Sequence, residues 1–190
     1  MFPAKHFAEL SWHVTRAKWA GRPLHFGKAL KNRFDDPKGK YGILYAGPDL
    51  TTAFVESVFH NRKLDFTVAR IVSVRFLNQW VVKSIVVRTP LKLADLTARF
   101  ALFKVGHDAD TVANRTGRYR RSQELSRKIY QHPEGFDGLY WFSRQAVSVP
   151  CVALFDRCAT KLDYKPPDIP LLAHPHFPEV KTTLGLIVKP

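Results

Sequence analysis

Apolar and polar residues alternate from Trp12 to Arg16, in Trp-His-Val-Thr-Arg, which is the period-two pattern of a half-buried strand. Gly21-Arg22-Pro23 then turns the chain into a basic loop that delivers Arg33. Ile43 to Ala46 is a short apolar run closed by Gly42 on one side and Gly47-Pro48 on the other, so it predicts a buried strand. The period changes after Asp49: Leu50, Ala53, Phe54 and Val58 recur at helical spacing, and Asp49 is well suited to cap that helix. Glu56 lies about 200° around the helix from Phe54, off the apolar stripe and free to face a cleft or solvent.

Further along, Val68 to Phe76 and Trp80 to Val87 are rich in valine and isoleucine, and the short Leu77-Asn78-Gln79 link predicts a strand pair. Leu91-Lys92-Leu93 adds a strand, followed by a short helix around Leu96 to Phe103. The chain is polar from Asp108 to Arg120. Leu125 and Ile129, four apart, then predict an amphipathic helix over Ser122 to Tyr130 that stops before His132-Pro133. Aromatic and valine-rich strands follow at Asp137 to Arg144 and Val147 to Phe155. From Lys165 the prolines at 166, 167, 170, 175 and 178 predict a tail lying over the surface of the domain without a core of its own.

Composition narrows the class. A chain of 190 residues with 45% hydrophobic residues can bury a core and is the size of one domain, so disorder is excluded for most of it. No apolar run reaches the roughly 20 residues that span a bilayer, and the N-terminus carries no signal-like stretch, which leads to the expectation of a cytoplasmic protein with no membrane partner. Cys151 and Cys158 are too few for a disulfide scaffold, and Cys151 sits in an apolar run, as a core thiol does. A formal charge of +14 favours an anionic partner: nucleic acid, an acidic protein or a phosphorylated cofactor.

No recognised metal pattern surrounds the His174 and His176 pair, so no metal is expected, and neither a Gly-x-Gly-x-x-Gly nor a P-loop is present. Arg115 to Arg121, with Tyr119 inside, is the densest basic cluster. It is suited either to gripping phosphates or to being a solvated loop that leads into a helix; the absence of nucleic-acid recognition signatures favours the second. Arg33, Tyr45 and Glu56 offer a different chemistry. A guanidinium, an aromatic face and a carboxylate in one cleft would hold a dinucleotide diphosphate, cover a cationic ring and stabilise positive charge on a ribose.

These residues also carry a resemblance. Arg33-Phe34, Gly42-Ile43-Leu44-Tyr45-Ala46, Ala53-x-x-Glu56, Asp137-Gly138-Leu139-Tyr140-x-x-Ser143-Arg144 and Cys151-Val152-Ala153-Leu154-Phe155 together resemble the RES domain, over about residues 12–157. The resemblance implies an α+β fold: a single compact domain over residues 1–190 with a split, mainly antiparallel sheet and flanking helices, similar to ADP-ribosyltransferases, on which 165–190 packs as an extension. It implies NAD as substrate, cleaved at the nicotinamide–ribose bond by hydrolysis or phosphorolysis, in a toxin with an Xre-type antitoxin partner. Transfer of ADP-ribose to a macromolecule is the alternative activity, and a non-catalytic nucleic-acid-binding module is the alternative class. In that frame Glu56, Arg33 and Tyr45 are catalytic, and Arg33, Tyr45, Ser143, Tyr41 and Arg144 bind NAD. Many members have glycines just before the arginine and an asparagine two residues after it, where this chain has Lys31-Asn32 and Asp35.

Overall fold

The computed structural model describes residues 1–59, 70–113 and 119–190. In chain order the elements are β1 (Ala4–Phe7), β2 (Ser11–Arg16), β3 (Ile43–Ala46), α1 (Leu50–Val58), β4 (Arg70–Ser73), α2 (Val74–Leu77), β5 (Trp80–Val87), β6 (Leu91–Asp95), α3 (Ala101–Lys104), α4 (Ala109–Ala113), α5 (Arg120–Tyr130), β7 (Gly138–Phe142), β8 (Pro150–Phe155), β9 (Leu162–Pro170), α6 (Phe177–Leu184) and β10 (Leu186–Lys189). They form an α+β domain with its strands divided among three sheets: β1-β6-β7-β8-β3, β2-β5-β9 and β10-β4. Pairing is antiparallel except for β6 with β7 and β10 with β4.

Side-chain alternation along the central strands splits the interior. In β8, Cys151, Ala153 and Phe155 face a core shared with Leu125 and Ile129 of α5, while Val152 and Leu154 face a second core against Ile85 of β5 and Leu162 of β9. The strand β3 does the same with Ile43 and Leu44. A third cluster joins Phe54 and Val58 of α1, Val14 of β2, Val82 of β5 and Val180 of α6. The helix α1 therefore starts at the end of one sheet and lies against another, with Glu56 at the seam.

Two expectations change. The runs around Val68 to Phe76 and Trp80 to Val87 do not pair as a hairpin; residues 68 and 69 lie outside the described residues. The strand stops at Ser73, whose hydroxyl accepts from Phe76 N at 3.1 Å and caps α2, and its partner is β10 from the far end of the chain. Valine-rich runs have strand propensity whatever their partner, and the serine cap decides where the chain turns. The proline-rich tail carries a strand, β9, paired with β5, and buries Leu171, Phe177, Val180 and Leu186 in the α1 cluster. Prolines fit because β9 is an edge strand, where a missing N–H costs no ladder bond. Among the described residues no helix is long and apolar enough to cross a membrane.

Candidate active site

The loop before β3 is pinned from several sides. Phe34 is fully buried and meets Trp141 edge-on at 5.0 Å. Asp35 accepts from the backbone N–H of Asn32 at 3.0 Å and from the Tyr45 hydroxyl at 3.1 Å, while that hydroxyl accepts from the backbone N–H of Phe34 at 3.0 Å. Asp36 accepts from the Arg127 guanidinium, with Nε at 3.0 Å. Gln123 donates from α5 to the carbonyls of Leu30 and Asn32. Leu30 holds a left-handed φ of 63°, a strained conformation for a branched side chain that these contacts must sustain.

That scaffold leaves Arg33 nearly buried, at 9% exposure, in the wall of a cavity of about 170 Å³ that it shares with Tyr45, Glu56, His13, Tyr119 and Trp141. Burial pulls the Arg33 guanidinium below its ordinary value, Glu56 pulls it back, and Arg144 adds to the effect of burial. Among the described residues no carboxylate lies within ion-pair distance of it, and its buried Nε has no acceptor; the buried indole N–H of Trp141 is the second such donor in this wall. Orphaned buried donors are rare in folded proteins, and two in one cavity wall suit a site whose acceptors arrive with a ligand.

Glu56 is fixed from the opposite side. Its Oε1 accepts from the Ser143 hydroxyl at 2.6 Å and from the backbone N–H of Arg144 at 3.2 Å and Gln145 at 3.4 Å. The Ser143 Oγ in turn accepts from the N–H groups of Gln145 and Ala146. These three donors all reach the same oxygen, Oε1. The helix that carries Glu56 begins at Asp49, whose carboxylate caps Thr52 N at 2.7 Å, and packs tightly onto the strand end because Gly47 has no side chain: a Cβ there would sit 2.8 Å from Ala53 N.

Arg33, Tyr45 and Glu56 thus meet in one cavity. Ser143 does not line it: at 4% exposure its hydroxyl is spent on Glu56 and the loop behind it. Arg144 reaches the site through its backbone N–H and through its charge on Arg33. Tyr41 is elsewhere. Only 1% exposed, it stacks on Tyr130 at 4.1 Å and bonds Ser126 at 2.9 Å, because its ring points into the α5 core. Of the basic cluster, residues 115–118 lie outside the described residues; Tyr119 is buried beside Arg33, with the guanidinium 5.9 Å from its ring, while Arg120 and Arg121 pair with Glu124 and Asp108 at the surface.

His13, Asn32 and Trp141 are cavity residues with no distinguishing motif. For His13 the signal was present in the alternation of β2, whose polar half is Ser11, His13 and Thr15. Its Nδ1 lies 2.8 Å from the Tyr45 carbonyl oxygen, an acceptor only, so Nδ1 carries the hydrogen and Nε2 keeps its lone pair. Cys151 also lines the cavity, but burial pushes its thiol far up, so it stays protonated and inert.

The sequence matches the family described as RES domain over residues 10–174. No curated protein matches the chain. The fold is similar to that of a chain in the crystal structure of the M. tuberculosis MbcT-MbcA toxin-antitoxin complex, with a TM-score of 0.65 and 17% identity, over 94% of this chain and 92% of that one.

Proposed function

The chain belongs to the RES domain family, and from that premise we propose that it is the toxin of a toxin–antitoxin pair and acts by cleaving the nicotinamide–ribose bond of NAD. The observation that carries the reading is the buried Arg33 guanidinium with its orphaned Nε, facing a carboxylate held by Ser143 across the same cavity. A guanidinium with no counter-ion among the described residues suits a diphosphate. A carboxylate fixed on one oxygen suits a cationic transition state, since it needs no reorganisation when charge develops.

In the proposed reaction the C1′–N1 bond breaks and its electron pair leaves with the nicotinamide nitrogen, which becomes neutral. Glu56 stabilises the oxocarbenium character left on the ribose. Water or phosphate then bonds to C1′, giving ADP-ribose with release of a proton, or the 1-phosphate of ADP-ribose. The ring of Tyr45 faces the cationic nicotinamide, an attraction of about 0.5–2 kcal/mol that disappears once the leaving group is neutral, so product is released. Burial first and the Asp35 carboxylate second push the Tyr45 phenol well above its ordinary value, so it stays a neutral hydroxyl that fastens the Arg33 loop. Ser143, assigned by resemblance to NAD itself, acts here by orienting Glu56.

Two further features support a toxin with a protein partner: the complex that shares this fold is a toxin–antitoxin pair, and a charge of +14 complements an acidic, Xre-type antitoxin. The test is nicotinamide release from NAD by the purified protein, with and without phosphate. Release that Glu56→Ala abolishes, while circular dichroism stays native, is the expected result. No release by the wild type in either buffer overturns the reading, and label from NAD left on a macromolecule replaces it with ADP-ribosyl transfer.

A further inference from the structure

A second cavity, of about 450 Å³, abuts the first, and His13, Asn32 and Tyr45 wall both. The first alone, at about 170 Å³, falls short of the ~300–1,000 Å³ that ligand pockets occupy, whereas the two joined fall within it. A dinucleotide bound at Arg33 and Glu56 must therefore extend beyond the first cavity.

The second cavity has the chemistry of a nucleotide site. Trp19 and His25 stand in its wall with their rings stacked 5.5 Å apart and 12° from parallel, and the Arg22 guanidinium lies 5.1 Å from the Trp19 ring. Of the cations in residues 10–34, Arg22 lines this cavity and Arg33 the first, and that stretch holds not one acidic residue. It is braced from below. Lys83 Nζ donates to the Arg22 carbonyl at 2.9 Å and pairs with buried Asp168, which also accepts from the backbone N–H of Gly21 at 2.8 Å. The turn that presents Trp19 and Arg22 is thus held in place before any ligand arrives.

We propose that this second cavity receives the adenosine-phosphate half of the dinucleotide, its base stacked on the Trp19–His25 pair and its phosphate drawn to Arg22, with His13 accepting a ligand hydroxyl at the junction through Nε2. The inference rests on the dinucleotide reading of the first cavity. Sequence-tolerant stacking on an aromatic face beside cations is how proteins commonly hold a base without a phosphate-binding motif, and none is present here.

The experiment compares NAD with nicotinamide mononucleotide, which has the same scissile bond and no adenosine, and separately titrates ADP calorimetrically into wild type, Trp19→Ala and Arg22→Ala. Arg22 is exposed, so its variant folds even where Trp19→Ala does not. The wild type should prefer NAD, and each variant should lose about tenfold of that preference through KM for NAD, with ADP binding weakened by a similar factor. ADP should compete with NAD. Equal use of the two substrates by the wild type, a preference unchanged in both variants, or non-competitive inhibition by ADP overturns the proposal. If the wild type cleaves neither substrate, the glycosidic reading falls and the ADP titration alone decides the cavity: binding weakened in both variants upholds it as a nucleotide site, and binding indifferent to both removes it.

Discussion

Arg33 and Glu56 depart from ordinary surface chemistry for opposite reasons: the buried Nε of one has no acceptor among the described residues, while the other is over-supplied with donors on one oxygen. A buried cation with no carboxylate at ion-pair distance among the described residues destabilises the empty protein, so Arg33→Met, close in volume, should hold or raise the thermal midpoint while nicotinamide release is lost. A midpoint lowered by several degrees would mean that Arg33 has a structural partner after all. Arg33→Lys keeps the charge but not the fork, and should regain only part of the NAD affinity, read as KM. Ser143→Ala separates orientation from binding. Glu56 loses its shortest hydrogen bond, the N–H of Ala146 loses its acceptor and that of Gln145 keeps only its longer bond to Glu56, at about 1–3 kcal/mol of stability. Turnover should drop on the order of 100-fold in kcat with KM for NAD little changed; a change confined to KM would place Ser143 on the substrate instead.

At the scale of elements, α1 is the lever that carries Glu56, and its first turn depends on Asp49 for both an N–H and a hydroxyl of Thr52. Asp49→Ala should cost about 0.5–2 kcal/mol and loosen the carboxylate, so kcat should fall further than that stability loss implies; a drop in melting temperature with kcat intact would show that the Ser143 loop alone holds Glu56. This helix, its cap and the strand before it were legible in the sequence because local rules decide them: a period change at Asp49, and an apolar run bounded by glycines. What the sequence hid is long-range. Nothing near Arg70–Ser73 says that its partner is Leu186–Lys189, and nothing in Leu162–Pro170 says that an edge position will tolerate its prolines. The site divides the same way. Arg33, Tyr45 and Glu56 stood out by residue type near one another in the chain, whereas the burial of Tyr41 depends on Ser126 and Tyr130 of α5, and the use of Ser143 as a support depends on a loop far from Glu56 in sequence.

For the whole molecule, groups kept neutral by burial set the response to acid. Burial lowers His13 from 6.5 to about 4, against the opposing pull of its bond to the Tyr45 carbonyl, and burial lowers His174 as well. In the unfolded chain both titrate near the ordinary 6.5, so between that value and 4 the unfolded state binds protons that the native state does not. Stability therefore falls as pH drops from 6.5 towards 4, by about 3 kcal/mol for His13 alone, and is flat above that range. A second loss follows at lower pH. Burial pushes the Asp36 carboxyl up, but the hydrogen bonds from Arg127 and from the Lys40 and Lys38 backbone outweigh it; Asp168 is likewise held below 3.8 by Lys83 and Tyr164 against burial. Their contribution is complete above 3.8 and is lost as pH falls through the lower native values, while protonating carboxylates on a chain already at +14 adds repulsion. Thermal midpoints measured across this range should be level at neutral pH, decline between 6.5 and 4, and decline again below. His13→Asn keeps an N–H for the Tyr45 carbonyl and takes up no proton, so it should flatten the upper decline and leave the lower one in place. An upper decline identical in variant and wild type would assign that loss to His174 or to another histidine, and would mean that His13 takes up its proton in the native cavity wall as readily as in the unfolded chain.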